Sequence, residues 1–330
     1  MLKDQFNRKI SYLRVSVTDR CDLRCLYCME ENMVFLPKKE VLSLEELYKL
    51  CFTFIDLGVK KIRLTGGEPL VRKNVISLIT NLGKHIKPGE LDELTLTTNG
   101  MHLEKYSDQL FKSGIKRINV SLDTLNHLKY TKITRWGNLD KVISGIMAAK
   151  SEGLKIKINT VALRNFNDYE FDNLIEWCGK HNFDITFIET MPMGEVQQDR
   201  NKSFLPLNML RASLEKSWTF KNIKYETSGP ARYLYCNEAG INVGFISPLS
   251  HNFCSTCNRV RLTCTGKLYM CLGQDDFVDL GEIVRTSNNY EKVNDLIYQA
   301  MLTKPKEHDF IINKNHLKPS VKRHMSVTGG

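Results

Sequence analysis

Cys21-Asp22-Leu23-Arg24-Cys25-Leu26-Tyr27-Cys28 sets three thiols within eight residues, with three residues and then two between them. Thiolates at that reach can hold three corners of an iron–sulfur cubane. With no fourth thiolate in the stretch, one iron stays open to a small ligand. A structural zinc site closes with four protein ligands instead. The bland alternatives are three reduced core cysteines or an incomplete zinc knuckle. The stretch follows residues 12–17, where Leu13, Val15 and Val17 alternate with Tyr12, Arg14 and Ser16, the period of a β-strand.

Working outward, Ser43 with Glu46 three residues on predicts a capped helix reaching Leu57, where Gly58 stops it. A strand at 60–64 runs into Thr65-Gly66-Gly67-Glu68-Pro69. Helices are expected over 75–85, 103–113, 139–152 and 168–180, alternating with strands at 91–98, 117–122, 155–161 and 184–189. Six such strand–helix units predict an α/β fold, an incomplete (β/α)6 barrel with a parallel sheet inside and helices outside. Parallel barrel strands deliver site residues at their C-terminal ends, and each polar cluster here falls after a strand. After Gly194 the alternation ends and 197–203 reads as a polar linker. Residues 1–195 are therefore expected to form the partial barrel. Residues 196–330 are expected to form a smaller C-terminal region that closes its mouth.

The 330 residues are 42% hydrophobic, ordinary for a globular chain. The N-terminus has no apolar core, so it does not read as a signal peptide, and no apolar run approaches a membrane span. Ten cysteines in such a chain point to reduced thiols and metal, and to a cytoplasmic setting. The formal net charge of +10 is spread along the chain, which suits a small phosphorylated ligand better than nucleic acid. There is no Walker A sequence, and the eight histidines form no metal pattern.

A second cysteine group, Cys254-Ser-Thr-Cys257-Asn-Arg259-Val260-Arg261, is followed by Cys271. With Cys264 it would supply the four thiolates of a zinc site. Arg259 and Arg261, at alternate positions of an extended segment, can point the same way and grip phosphate or a purine edge. Cys51 and Cys178 fall at apolar-looking helix positions and are expected in the core.

The C-x3-C-x2-C stretch followed by Gly66-Gly67-Glu68-Pro69 resembles the radical S-adenosylmethionine (SAM) superfamily. Ser-Val-Thr-Asp-Arg-Cys-Asp-Leu-Arg-Cys-Leu-Tyr-Cys-Met, Arg-Leu-Thr-Gly-Gly-Glu-Pro-Leu, Leu-Thr-Thr-Asn-Gly, Arg-Ile-Asn-Val-Ser-Leu-Asp and Phe-Cys-Ser-Thr-Cys-Asn-Arg-Val-Arg-Leu resemble the GTP 3′,8-cyclase family of molybdenum cofactor biosynthesis, nearly end to end and including the terminal Gly329-Gly330. Glu30 departs from the proline usual in that family.

The resemblance implies two [4Fe-4S] clusters, one on Cys21, Cys25 and Cys28 that binds SAM, the other on Cys254, Cys257 and Cys271 that meets the guanine of GTP. It implies SAM contacts from Tyr27, Gly67, Ser121 and Met191. It implies GTP contacts from Arg14, Arg63, Thr97, Lys157, Arg259, Val260 and Arg261, converging on one mouth. Arg259, Arg261, Gly329 and Gly330 are the expected catalytic positions, with the Gly-Gly tail entering the active site. The activity implied is radical cyclisation of GTP to (8S)-3′,8-cyclo-7,8-dihydroguanosine 5′-triphosphate. Expected partners are an external electron donor and a cyclic pyranopterin monophosphate synthase acting on the product; a homodimer is admissible, and neither membrane nor nucleic acid is expected. The competing readings are another two-cluster radical SAM enzyme modifying tRNA or a peptide, and a nucleic-acid-binding protein stapled by one iron–sulfur and one zinc site.

Overall fold

Both rows of the alternating strand at 12–17 are buried, for different reasons. In a computed structural model describing residues 1–196, 199–286, 290–312 and 319–329, strand β1 (Tyr12–Ser16) is covered on both faces. Leu13, Val15 and Val17 pack into the main hydrophobic core, while Tyr12 and Arg14 line a cavity on the other side. The same division recurs along β2 (Lys61–Thr65), β3 (Glu93–Thr98), β4 (Arg117–Ser121), β5 (Lys155–Ala162) and β6 (Asp184–Glu189). Ile62, Leu64, Leu94, Leu96, Ile118, Val120, Ile156, Ile158, Ile185 and Phe187 face the helix layer. Each fully buried side chain of that size contributes roughly 1.5–3 kcal/mol. The polar row turns into the lumen, as strand alternation requires.

The helix layer is α1 (Leu44–Asp56), α2 (Val75–Gly83), α3 (Leu103–Lys112), α4 (His127–Thr134), α5 (Leu139–Ser151) and α6 (Phe171–His181). The predicted capping box is formed: Glu46 N donates to Ser43 Oγ at 3.1 Å, and Ser43 N donates to Glu46 Oε2 at 2.6 Å. Helix α4 was not expected. It carries no apolar stripe, with Leu128 exposed and only Tyr130, Ile133 and Thr134 buried. Helix α6 starts later than the expected 168. Asp168 accepts from Asn165 N, and buried Asn167 donates to Asp123 O and Val161 O, so local side chains hold a turn there instead. Cys51 and Cys178 lie in the core, as expected, and Cys236 joins them.

Six parallel strands form the expected partial barrel, and the C-terminal half extends it at both edges. After α7 (Arg200–Ser203) and α8 (Leu207–Leu214) come β7 (Phe220–Asn222), β8 (Arg232–Cys236), β9 (Ile241–Ile246), β10 (Arg259–Leu262), β11 (Lys267–Tyr269) and β12 (Phe277–Asp279). The sheet order is β12-β11-β10-β1-β2-β3-β4-β5-β6-β9-β8-β7. Strand β10 lies parallel to β1, and β9 parallel to β6. Helices α9 (Gly281–Thr286), α10 (Tyr290–Leu302) and α11 (Met325–Thr328) follow. The linker expected at 197–203 ends in the helical turn α7, capped by Asp199 Oδ1 on Asn201 N; residues 197 and 198 lie outside the described residues. Among the described residues no helix is long and apolar enough to cross a membrane.

Candidate active site

The first cysteine loop leaves the C-terminal end of β1 and is fixed from three sides. Arg24 N and Leu26 N donate to Thr134 O and Ile133 O at the end of α4, at 3.0 and 2.9 Å. The Arg24 guanidinium donates to Cys21 O at 2.7 Å and lies between the rings of Phe35 and Trp136. Asp22 accepts from Asn99 Nδ2 at 2.7 Å and pairs with His102 Nε2 at 3.0 Å. The result turns Cys21, Cys25 and Cys28 into one cavity.

Gly66 and Gly67 pack against the backbone of Thr18–Arg20, where a Cβ on either would overlap carbonyl oxygens. The glycines are thus required by the neighbouring loop, and not only by close approach to a ligand. Buried Glu68 caps the following turn, accepting from Leu70 N and Asn99 N at 3.0 and 2.7 Å and from Thr98 Oγ1 at 2.8 Å. Burial nonetheless pushes its carboxyl up to about 7. Gly67, Ser121 and Met191 line the same cavity. So does Tyr27, whose hydroxyl donates to Asp123 Oδ2 at 2.7 Å.

The second cysteine group sits at the opposite end of the lumen, which corrects the expectation that every site residue would follow a strand. Cys254 and Cys257 precede β10, whose first residue, Arg259, is in register with Tyr12, the first of β1. Strand β11 runs back antiparallel to β10 and so brings Cys271 to the same end. Cys254, Cys257 and Cys271 line a second cavity. Cys264 lies in the turn at the far end of that hairpin, buried beside Leu42 and Asp19, and lines neither cavity. It is not placed to complete a four-cysteine zinc site. Among the described residues no three His, Cys, Asp or Glu side chains are grouped to hold a single metal ion.

Two cations that the sequence did not single out hold this loop. Buried Lys304 directs Nζ to Met270 O at 2.5 Å, Arg259 O at 2.9 Å and Cys257 Sγ at 3.6 Å. Arg8, paired with Asp4, donates to Cys254 O at 2.7 Å. In sequence Lys304 reads as an ordinary cation past a helix C-terminus. Burial would raise the Cys257 thiol, but Arg259 and Lys304 outweigh it and bring it down to about 7. Burial pushes the Cys254 and Cys271 thiols up. If the second group holds the cluster that the resemblance implies, Lys304→Met should strip its iron, leaving about four of about eight irons per chain. Full retention on anaerobic iron analysis would reduce Lys304 to a packing role.

Arg14, Arg63, Lys157, Arg259 and Arg261, all buried, share the second cavity with these cysteines. Burial pushes Arg14 down to about 10, and Lys157 and Arg261 well below their ordinary range. Burial would raise the Tyr12 phenol, yet Arg63, Arg14, Lys61 and Arg259 together hold it near 8. Thr97 lines the first cavity and not the second, so the expected contacts do not all meet at one mouth. The Val260 side chain lies in the core, leaving only its backbone to face a ligand. The cavities adjoin through Asn159, Ile188 and Met191, which line both.

The tail reaches this junction. Arg323 is anchored to Leu272 O and Gln274 O at 2.5 and 2.6 Å and to Asp275, while Lys322 is exposed. Met325 and Ser326 line the first cavity, and Arg261 Nη1 donates to Gly329 O at 2.6 Å. Gly329 has φ +74°, and a Cβ there would overlap the Thr65 hydroxyl. Gly330 lies outside the described residues.

Comparisons with known proteins agree with this arrangement. Residues 15–178 match the model of the Radical SAM superfamily and residues 183–310 that of Molybdenum Cofactor Synthesis C. The chain is 57% identical to the GTP 3′,8-cyclase of Agrobacterium fabrum, over 99% of this chain and 94% of that protein. It is 58% identical to that of Mesorhizobium japonicum, over 99% of each. Among solved structures, Streptococcus suis SuiB bound to S-adenosylmethionine superposes with a TM-score of 0.63 at 14% identity, covering 97% of this chain and 77% of that one, a likeness of fold alone. Two adjoining cavities, each with a three-cysteine group, and near full-length identity to these cyclases lead to one assignment: the chain belongs to the GTP 3′,8-cyclase family of the radical SAM superfamily.

Proposed function

We propose that the chain cyclises GTP to (8S)-3′,8-cyclo-7,8-dihydroguanosine 5′-triphosphate, an early step of molybdenum cofactor biosynthesis. It is a radical SAM enzyme, working with SAM and a [4Fe-4S] cluster. Cys21, Cys25 and Cys28 would hold that cluster, since all three are free thiols on one cavity wall. Gly67, Ser121, Met191 and Tyr27 would hold SAM beside it. Bound there, the cluster and SAM would supply the radical chemistry that acts at C3′ of the ribose. Cys254, Cys257 and Cys271 would hold a second [4Fe-4S] cluster, a donor set supported by the Lys304 and Arg259 charges next to Cys257.

The observation that carries the substrate is the second cavity itself. Five buried cations face it beside three thiols, and its far wall is shared with the first cavity. A triphosphate satisfies such a wall, each charge-assisted hydrogen bond contributing about 1.5–3 kcal/mol. Arg14, Arg63, Lys157, Arg259 and Arg261 would bind GTP there, with Thr97 reaching it from the SAM side. The tail, held at Gly329 by Arg261, would set SAM against GTP.

This reading divides the work between 1–195, which carries SAM, and 196–330, which carries the second cluster. It also places the enzyme in the cytoplasm, supplied by an external electron donor and relieved of its labile product by a cyclic pyranopterin monophosphate synthase. Anaerobic turnover with GTP, SAM and a reductant tests it. The wild type should contain about eight irons and no stoichiometric zinc. Cys257→Ser should keep much of the SAM cleavage but lose cyclisation, and Cys264→Ser should keep both clusters. Equal loss of both activities in Cys257→Ser would argue against divided roles.

A further inference from the structure

Two asparagines line the second cavity outside the roles assigned above, one of them, Asn159, at the junction with the first. Asn119 is central in β4, fully buried, and lines the second cavity. Neither its Nδ2 nor its Oδ1 has a hydrogen-bond partner among the described residues. Asn159 on β5 lines both cavities, and its Oδ1 is also unpartnered among the described residues. Register places them on one face: Asn119 lies opposite Lys157, and Ser121 opposite Asn159. Strand alternation turns all four to the lumen. On the other side of Asn119, in register on β3, is Thr97, whose buried hydroxyl is likewise unpartnered among the described residues.

Folded interiors pair nearly all buried polar groups, so an amide with both ends open and a cavity in front of it marks a ligand contact. The amide also indicates which part of a nucleotide it meets. It offers a donor and an acceptor together. Phosphate oxygens take donors only, and the arginines of β1, β2 and β10 already supply these. A sugar hydroxyl gives and accepts at once, and so satisfies both ends. The resemblance to the cyclases implies that the guanine meets the Cys254, Cys257 and Cys271 end of the cavity, and with the base there the ribose falls to the middle.

Resting on that reading, we propose that Asn119 and Asn159 bind the ribose 2′- and 3′-hydroxyls of the substrate. Held so at the seam, the C3′ hydrogen faces the first cavity, and a nucleotide lacking a hydroxyl loses a partner for a buried amide.

The test titrates anaerobically loaded wild type, Asn119→Leu and Asn159→Leu with GTP, 2′-deoxy-GTP and 3′-deoxy-GTP, reading affinity by equilibrium dialysis. Wild type should prefer GTP over at least one deoxynucleotide by about tenfold, the effect of one buried hydrogen bond. In Asn119→Leu, GTP binding should fall to the level of that deoxynucleotide and the gap should close to within about twofold. Asn159→Leu should narrow the gap as well, which keeps the test decisive if one variant does not fold. A wild type that binds GTP and both deoxynucleotides equally overturns the assignment. So do folded variants that weaken every nucleotide alike, as a structural role would. A wild type that binds no GTP overturns the substrate reading on which it rests.

Discussion

Cys25→Ser should reduce SAM cleavage to background while leaving the second cavity able to bind GTP. Cys25, the middle thiol of the three in sequence, lines the first cavity with the other two, and the loop has no spare cysteine to replace it. The second group is out of reach at the other end of the lumen, with its own anchors in Lys304 and Arg8. With two clusters, as proposed, iron should therefore fall from about eight to about four per chain. GTP affinity should change by less than about threefold, because the cations proposed to bind it line the other cavity. Reductive cleavage of SAM surviving in this variant would sink the ligand assignment. Loss of all iron would instead show that the two groups assemble as one unit.

Removing Gly329 and Gly330 should lower cyclised product by about 100-fold with the iron content unchanged. The tail backbone accepts from Arg261, a residue of the second cavity, while Ser326 faces the first. A segment that touches both can set their distance, and a misplacement of about 1 Å can cost a hundredfold. Gly329→Ala should act in the same direction, since its Cβ meets Thr65 and its backbone sits in the left-handed region. Iron content, GTP affinity and product are measured together. Full turnover after truncation would return these residues to the role of an ordinary chain end.

Much of this fold is legible in the sequence. The strands of the barrel and the Ser43 cap were legible because apolar alternation and side-chain capping are local signals. The cysteine triads were legible because thiol spacing is a ligand pattern in itself. Helix α4 was not, since its stability comes from docking on the first cysteine loop and not from an apolar stripe. Lys304 was hidden for a related reason. Its partners, Cys257, Arg259 and Met270, are far away in sequence, and only the β10–β11 hairpin brings them to one point. The placement of the second triad depended on the direction of β10, which composition does not encode. Asn119 lies in one of the motifs that carry the resemblance, Arg-Ile-Asn-Val-Ser-Leu-Asp, yet neither it nor Asn159 has a legible role in the sequence, because a lone amide in a strand gives no sign of what it faces until the lumen is known.

The pairing of β10 with β1 and of β9 with β6 bears on how the chain is made. On a ribosome, the six-strand half emerges first with both sheet borders bare, each a template for mispairing or aggregation. Their proper neighbours come only from the later half. The wall of the first cavity is finished later still, by Met325 and Ser326. Contacts so distant in sequence slow folding. They also leave the cysteine loop at 21–28 accessible through most of synthesis, so cluster delivery has a natural window before the last helical turn closes over it.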